Sequence, residues 1–113
     1  MTAKLQPKSS PDLALADERA AELADLFRLL GDNSRLRIVI ACLGGPTPVT
    51  EIAARLGLSL SLVSHHLRLL KAARIVRAQR QGKQVFYLAA DHHIRCIIAD
   101  MAEHVGEEGE EDA

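Results

Sequence analysis

Four side chains near the C-terminal end, Asp91, His93, His104 and Glu107, offer oxygen and nitrogen donors of the kind that hold zinc or a similar divalent cation. His93 and His104 are eleven residues apart, about three helical turns, so on one helix they share a stripe. At ~1.5 Å per residue they are also separated by roughly 16 Å along the axis, whereas zinc–ligand bonds are only about 2.0–2.2 Å long. One helix cannot bring both to a single ion. An antiparallel copy of the same helix can: Asp91 and His93 near one helix start would meet His104 and Glu107 near the end of the other. Two-fold symmetry then gives two equivalent four-ligand sites per dimer, which suits tetrahedral zinc, or cobalt in the same site. The bland alternative is a solvated helix face on which Asp91 is only an N-cap. His92 points off the stripe, and Cys96, one turn from His93, is expected to pack at the helix interface rather than bind metal.

A second constellation lies at Ser59-Leu60-Ser61-Leu62-Val63-Ser64-His65-His66. If this opens a helix, Leu62, Val63, Leu67 and Leu70 are its expected core positions, while Ser61, Ser64 and His65 share the opposite face. Small hydroxyls and an imidazole at a helix N-terminus can meet base edges in a major groove. Arg68 and Lys71 continue the exposed side, and Arg77, Arg80, Gln81 and Lys83 follow close behind, a set suited to gripping DNA phosphates. Ser64 and His65 do not make a nucleophile–base pair, because adjacent helical residues face apart and no orienting acid is evident. Neither an enzyme nor a small organic substrate is expected.

The elements that must position these groups are legible in outline. Met1–Pro11, with its prolines and serines, is expected to be a disordered arm. Leu13, Leu15, Ala20, Leu23, Leu26, Phe27 and Leu30 recur at helical spacing up to Gly31. Asp32-Asn33-Ser34 can cap a second helix, Arg35–Leu43, which Gly44-Gly45-Pro46 breaks. Thr50 can cap a short third helix, Glu51–Leu56; Gly57 makes a tight turn; the fourth helix runs to about Ala73. That is the helix-turn-helix pattern. Ile75–Arg80 and Gln84–Leu88 flank a glycine turn and predict a β-hairpin. A last helix spans roughly Asp91–Val105. The expected fold is mostly α with one β-hairpin, a winged helix-turn-helix over residues 12–107, with an acidic tail at 108–113.

Charge supports this division. The 113 residues sum to −1, but residues 50–90 carry +6 and residues 91–113 carry −7. The longest apolar runs are six residues, too short to span a bilayer, and the first residues hold no signal-like apolar stretch. Two cysteines make no disulfide framework, so a reducing cytoplasm is the expected location.

Several separated motifs then carry a family resemblance. They are Leu26-Phe27-Arg28-Leu29-Leu30-Gly31-Asp32 through Arg35-Leu36-Arg37-Ile38, Glu51-Ile52-Ala53, Ser61–Leu67, and Gly82-Lys83-Gln84-Val85-Phe86-Tyr87-Leu88. In this order they resemble the ArsR/SmtB family of bacterial metal-sensing winged-helix repressors, over roughly residues 20–107. The resemblance implies a homodimer formed by the first and last helices, bound to a pseudo-palindromic DNA operator. The positions Asp91, His93, His104 and Glu107 match the zinc-sensing subgroup, in which zinc at the C-terminal helices releases the DNA. It also implies a link from the free ring nitrogen of His104 to backbone near Arg74. The family's thiolate site falls at Pro48-Val49-Thr50-Glu51-Ile52-Ala53, which holds no cysteine, so arsenic-, cadmium- or lead-type ligation is not expected. The N-terminal arm supplies no His or Cys for six-coordinate nickel.

Three alternatives stay open. One is a thiol-sensing repressor using Cys42 and Cys96. Another is a metal-independent DNA-binding protein with incidental histidines. The third is a metal carrier, which would leave the basic segment unexplained.

Overall fold

The computed structural model describes residues 16–112. Its elements are helices α1 (Asp17–Leu30) and α2 (Asn33–Cys42), strand β1 (Thr47–Pro48), helices α3 (Val49–Leu56) and α4 (Leu60–Ala72), strands β2 (Val76–Gln81) and β3 (Gln84–Ala89), and helix α5 (His92–Asp112). This is the winged helix-turn-helix the sequence predicts. The expected N-terminal arm and the first apolar positions Leu13 and Leu15 lie outside the described residues.

Local chemistry sets most boundaries. Asp32 accepts the Arg35 backbone N–H at 3.1 Å and starts α2; Ser59 accepts the Leu62 N–H at 3.1 Å and starts α4. Between α3 and α4, Gly57 takes φ 69°, the left-handed conformation that turns the chain sharply enough for the two helices to cross. At the hairpin tip Gly82 takes φ 63° at the first of two loop positions, as a tight II′-like turn requires. The strands then pair from Val76↔Ala89 to Gln81↔Gln84.

Three features differ from expectation. The third helix begins at Val49, not after Thr50, because Pro48 enters it with φ −75° and ψ 156° straight from a two-residue strand. That strand pairs Thr47 with Tyr87 and Pro48 with Phe86, giving a sheet of order β1-β3-β2. The last helix does not stop near Val105. Gly106 stays out of the left-handed region, so nothing caps the helix there, and the following glutamates are good helix formers.

The core lies where α2, α3 and α4 meet the base of the hairpin. Ile38, Val39 and Cys42 from α2, Ile52 from α3, Val63, Leu67 and Leu70 from α4, and Ile75 and Val76 are all essentially inaccessible. Leu62, expected in this core, is 38% exposed, turned away from the Val63–Leu67–Leu70 face. The outer helices pack differently. No residue of α1 is fully buried, and along the described side chains of α5 only Ile98 is. Leu23 and Phe27 of α1 and Ile97, Met101 and Val105 of α5 remain exposed, and a groove of about 320 Å³ lined by Leu36, Ile40, Ile98, Met101 and Val105 separates α2 from α5. So much uncovered apolar surface on two helices is the mark of an association face.

Burial also touches one histidine. His66 on α4 packs near Asp32 and Arg35 at the start of α2, and its Nδ1 is enclosed without a hydrogen-bond partner among the described residues. Burial holds this imidazole below its ordinary range, Arg35 adds to the effect, and Asp32 opposes it. The unfolded chain therefore binds the extra proton, and this contribution to stability is full above about pH 6.5 and declines as pH falls below it. Thermal unfolding at about pH 7.5 and about pH 5.5 should show a smaller acid-induced loss in His66→Asn than in wild type. Equal losses would place the acid sensitivity in other groups.

Candidate nucleic-acid interface and metal-ligating helix

The Ser59 cap leaves the first turn of α4 projecting from the body of the domain. Ser61 and His65 are exposed there, whereas Ser64 is half-buried, so the expected three-residue reading face is led by Ser61 and His65. The His65 and His66 rings lie 5.8 Å apart, one outward and one toward α2. Arg68 and Lys71 are exposed farther along α4; Arg77, Arg80, Gln81 and Lys83 are exposed on the hairpin. Among the described residues the ion pairs are Arg28–Asp25, Arg55–Glu51 and His93–Asp91. Among the described residues, none of Arg68, Lys71, Arg77, Arg80 and Lys83 has a carboxylate partner. A helix with a polar N-terminal turn and a basic wing, both left uncompensated, suits a polyanion with a groove.

The donor-rich helix is built on its own cap. The Ile94 backbone N–H donates to Asp91 Oδ1 at 3.1 Å, which fixes the start of α5 and holds the Asp91 carboxyl below the usual carboxylate range. Asp91 is thus the N-cap that the bland alternative allowed, yet capping uses one oxygen. Its Oδ2 faces His93 Nδ1 at 3.7 Å, and the His93 side chain is 92% exposed. His104 and Glu107 are exposed on the same helix, three turns on and roughly 16 Å away. The chain therefore brings together Asp91 with His93 and keeps His104 with Glu107 apart from them. Among the described residues no three metal-binding side chains converge within one chain. Two exposed pairs of nitrogen and oxygen donors, three turns apart on one helix, suit a divalent ion shared between two chains. His104 makes no hydrogen bond to the backbone near Arg74 among the described residues.

The two cysteines differ. Cys42 is fully buried in the core, and burial pushes its thiol up to about 12. Such a thiol is neither accessible nor ionised at neutral pH, which argues against the thiol-sensing alternative. Cys96 is half-buried and rests its Sγ 3.1 Å from His92 Nε2.

One connection was not legible in the sequence. Lys71, Arg74 and Arg77 line one side of an open cleft of about 710 Å³, and Asp91, His93 and Ile94 line another. The end of α4, the start of β2 and the start of α5 therefore share one depression. Arg74 sits at its junction with φ 62°, the single described non-glycine residue in the left-handed region. Its N–H donates to Lys71 O and the Ile75 N–H to Leu70 O, both at 2.9 Å, closing α4 in a Schellman motif whose usual occupant is glycine. The charge spacing was visible beforehand; the backbone conformation was not.

Comparison with known proteins agrees with this architecture. Residues 32–78 match the family model described as "Bacterial regulatory protein, arsR family". The chain is 37% identical over 90 residues to the "Transcriptional repressor SmtB homolog" of Synechocystis sp., covering 80% of this chain and 68% of that protein. Among solved structures it is similar to the homodimeric winged helix-turn-helix DNA-binding domain of a possible ArsR-family regulator from Mycobacterium bovis. That likeness has a TM-score of 0.74 at 27% identity and covers 88% of this chain and 94% of the other. It is also similar to the cadmium metal-sensor CmtR of Mycobacterium tuberculosis, with a TM-score of 0.64 at 39% identity over 73% of this chain and 85% of that one. These relatives are regulators of transcription rather than enzymes. No described helix is long and apolar enough to cross a membrane. With its tandem helices, basic wing and donor-bearing terminal helix, the chain belongs to the ArsR/SmtB family of winged helix-turn-helix transcriptional regulators, a family of metal-sensing repressors.

Proposed function

We propose that the protein is a cytoplasmic, zinc-responsive repressor that binds a palindromic operator as a homodimer and releases it when zinc, or cobalt, is bound. The observation that carries this reading is the division of donors along α5. Asp91 and His93 are held side by side by the helix cap, and His104 and Glu107 are exposed three turns away. The exposed apolar residues of α1 and α5 supply the face on which two copies pair. Paired antiparallel, Asp91 and His93 of one chain and His104 and Glu107 of the other would hold the ion, at two equivalent sites. A bound zinc ion would supply a cross-link between the two helices.

The chain's own residues do the rest. Ser61, Ser64 and His65 meet base edges from the first turn of α4. Arg68 and Lys71, with Arg77, Arg80, Gln81 and Lys83 of the wing, hold phosphates on either side. Two such helices presented one DNA turn apart, about 34 Å, read the two half-sites. Because Asp91 and His93 share a cleft with the C-terminal end of α4, a shift of α5 against its partner is transmitted to the reading head. Regulation needs only a differential affinity: a coupling of 1–3 kcal/mol changes DNA binding about 5–150-fold.

The test is a DNA-binding titration with and without zinc, cobalt and nickel, on wild type and on His93→Ala and His104→Ala. Zinc is expected to weaken wild-type binding within that range, while both variants bind metal-free DNA normally and ignore zinc. Zinc-insensitive binding by wild type would favour a constitutive DNA-binding protein. A zinc response surviving in both variants would move the site off α5.

A further inference from the structure

The cleft at the end of α4 holds Lys71 and Arg77, given above to DNA phosphates, and one cation, Arg74, that neither the operator contacts nor the metal site uses. Lys71, Arg74 and Arg77 line it, all exposed and none ion-paired among the described residues. The three cations share the depression with a single carboxylate, Asp91, which is already engaged with the Ile94 N–H and His93. Arg74 also carries a backbone cost, because left-handed backbone disfavours any side chain beyond glycine by roughly 1–2 kcal/mol. Retaining arginine there argues that its side chain has a task.

The extended terminal helix supplies an occupant. The pairing proposed above, on which this inference rests, sets Asp91 and His93 opposite His104 and Glu107 of the partner subunit. The partner's Glu107 then lies level with the start of α5. Its helix does not end there but runs on to Asp112, so five further residues project roughly 7.5 Å beyond that level at 1.5 Å per residue. They pass toward the residues that precede Asp91, and Ala90 there lines the same cleft as Lys71, Arg74 and Arg77. The sequence of this projecting stretch, Glu108-Gly109-Glu110-Glu111-Asp112, is almost wholly acidic.

We propose that the acidic C-terminal end of one subunit's α5 docks on the Lys71–Arg74–Arg77 cleft of the other. The docked acids stand in for phosphate. They neutralise cations that operator DNA would otherwise draw on, and they tie the two reading heads to the helix pair. The −7 and +6 segments of the chain thereby meet across the dimer rather than within one subunit.

Carbodiimide cross-linking of dimers mixed from 14N- and 15N-labelled full-length chains tests this directly. The expected product is an amide between Lys71 of one isotope and a carboxylate of residues 107–112 of the other. Arg74→Gly is the companion variant, since it removes the charge while relieving the backbone. It should unfold at the same temperature or higher, yet weaken the dimer about fivefold at low salt. The difference should vanish near ~0.5 M salt, where the Debye length is only a few ångström. A zinc-responsive dimer with no inter-chain Lys71 cross-link, and with Arg74→Gly dimerising as wild type does, overturns the docking alone. A protein that is monomeric by sedimentation overturns the antiparallel pairing itself and the docking with it.

Discussion

Glutamine at Arg68, Arg80 and Lys83 together should weaken binding to duplex DNA by at least about 100-fold and flatten its salt dependence. These three cations are exposed and without carboxylate partners among the described residues, one on α4 and two on the wing. A dimer loses six of them. Each phosphate contact contributes roughly 0.9 to the slope of log affinity against log salt, so the slope should fall by about 5. Non-operator duplex should suffer in proportion, because phosphate contacts position the protein without reading sequence. Ser61→Ala or His65→Ala should behave oppositely, reducing preference for the operator while leaving the salt slope nearly unchanged. A triple variant with the wild-type slope would show that the wing does not face the backbone.

Alanine at Leu67 should cost about 2–5 kcal/mol of folding stability, a large part of the total for a domain of this size. Leu67 is 1% exposed and packs in the cluster where α2, α3, α4 and the base of the hairpin converge. Truncation leaves a cavity that four elements cannot collapse together to fill. Leu62→Ala, on the same helix but 38% exposed, should cost under about 1 kcal/mol. Chemical denaturation of the metal-free protein measures both. Comparable losses at the two positions would mean that Leu62 is buried in solution, as a dimer contact would make it.

The contrast between Leu62 and Leu67 shows where sequence reasoning stopped. Helical periodicity is a statement about one face, and Val63, Leu67 and Leu70 lie on it; Leu62 is a neighbouring leucine that pattern alone does not exclude. Caps behaved similarly. Asp32 and Ser59 hold their helices as residue type suggests, whereas Thr50 lost its role to Pro48, whose pairing with Phe86 is a contact 38 residues distant in sequence. A two-residue strand carries no periodicity from which to infer it.

For the candidate site, the sequence by itself determined the order of elements, the charge of each segment and the spacing of the donors on α5. Those depend on residue type and the 1.5 Å rise of a helix, which are local properties. The Asp91 cap was also among the readings the sequence allowed, and its bond to the Ile94 N–H is local. Only the tertiary structure decided that Cys42 is sealed in the core, and that the cations after α4 open onto the cleft shared with α5. Burial, left-handed backbone at Arg74 and the meeting of α4, β2 and α5 arise from packing between segments far apart in the chain, and no local pattern encodes them.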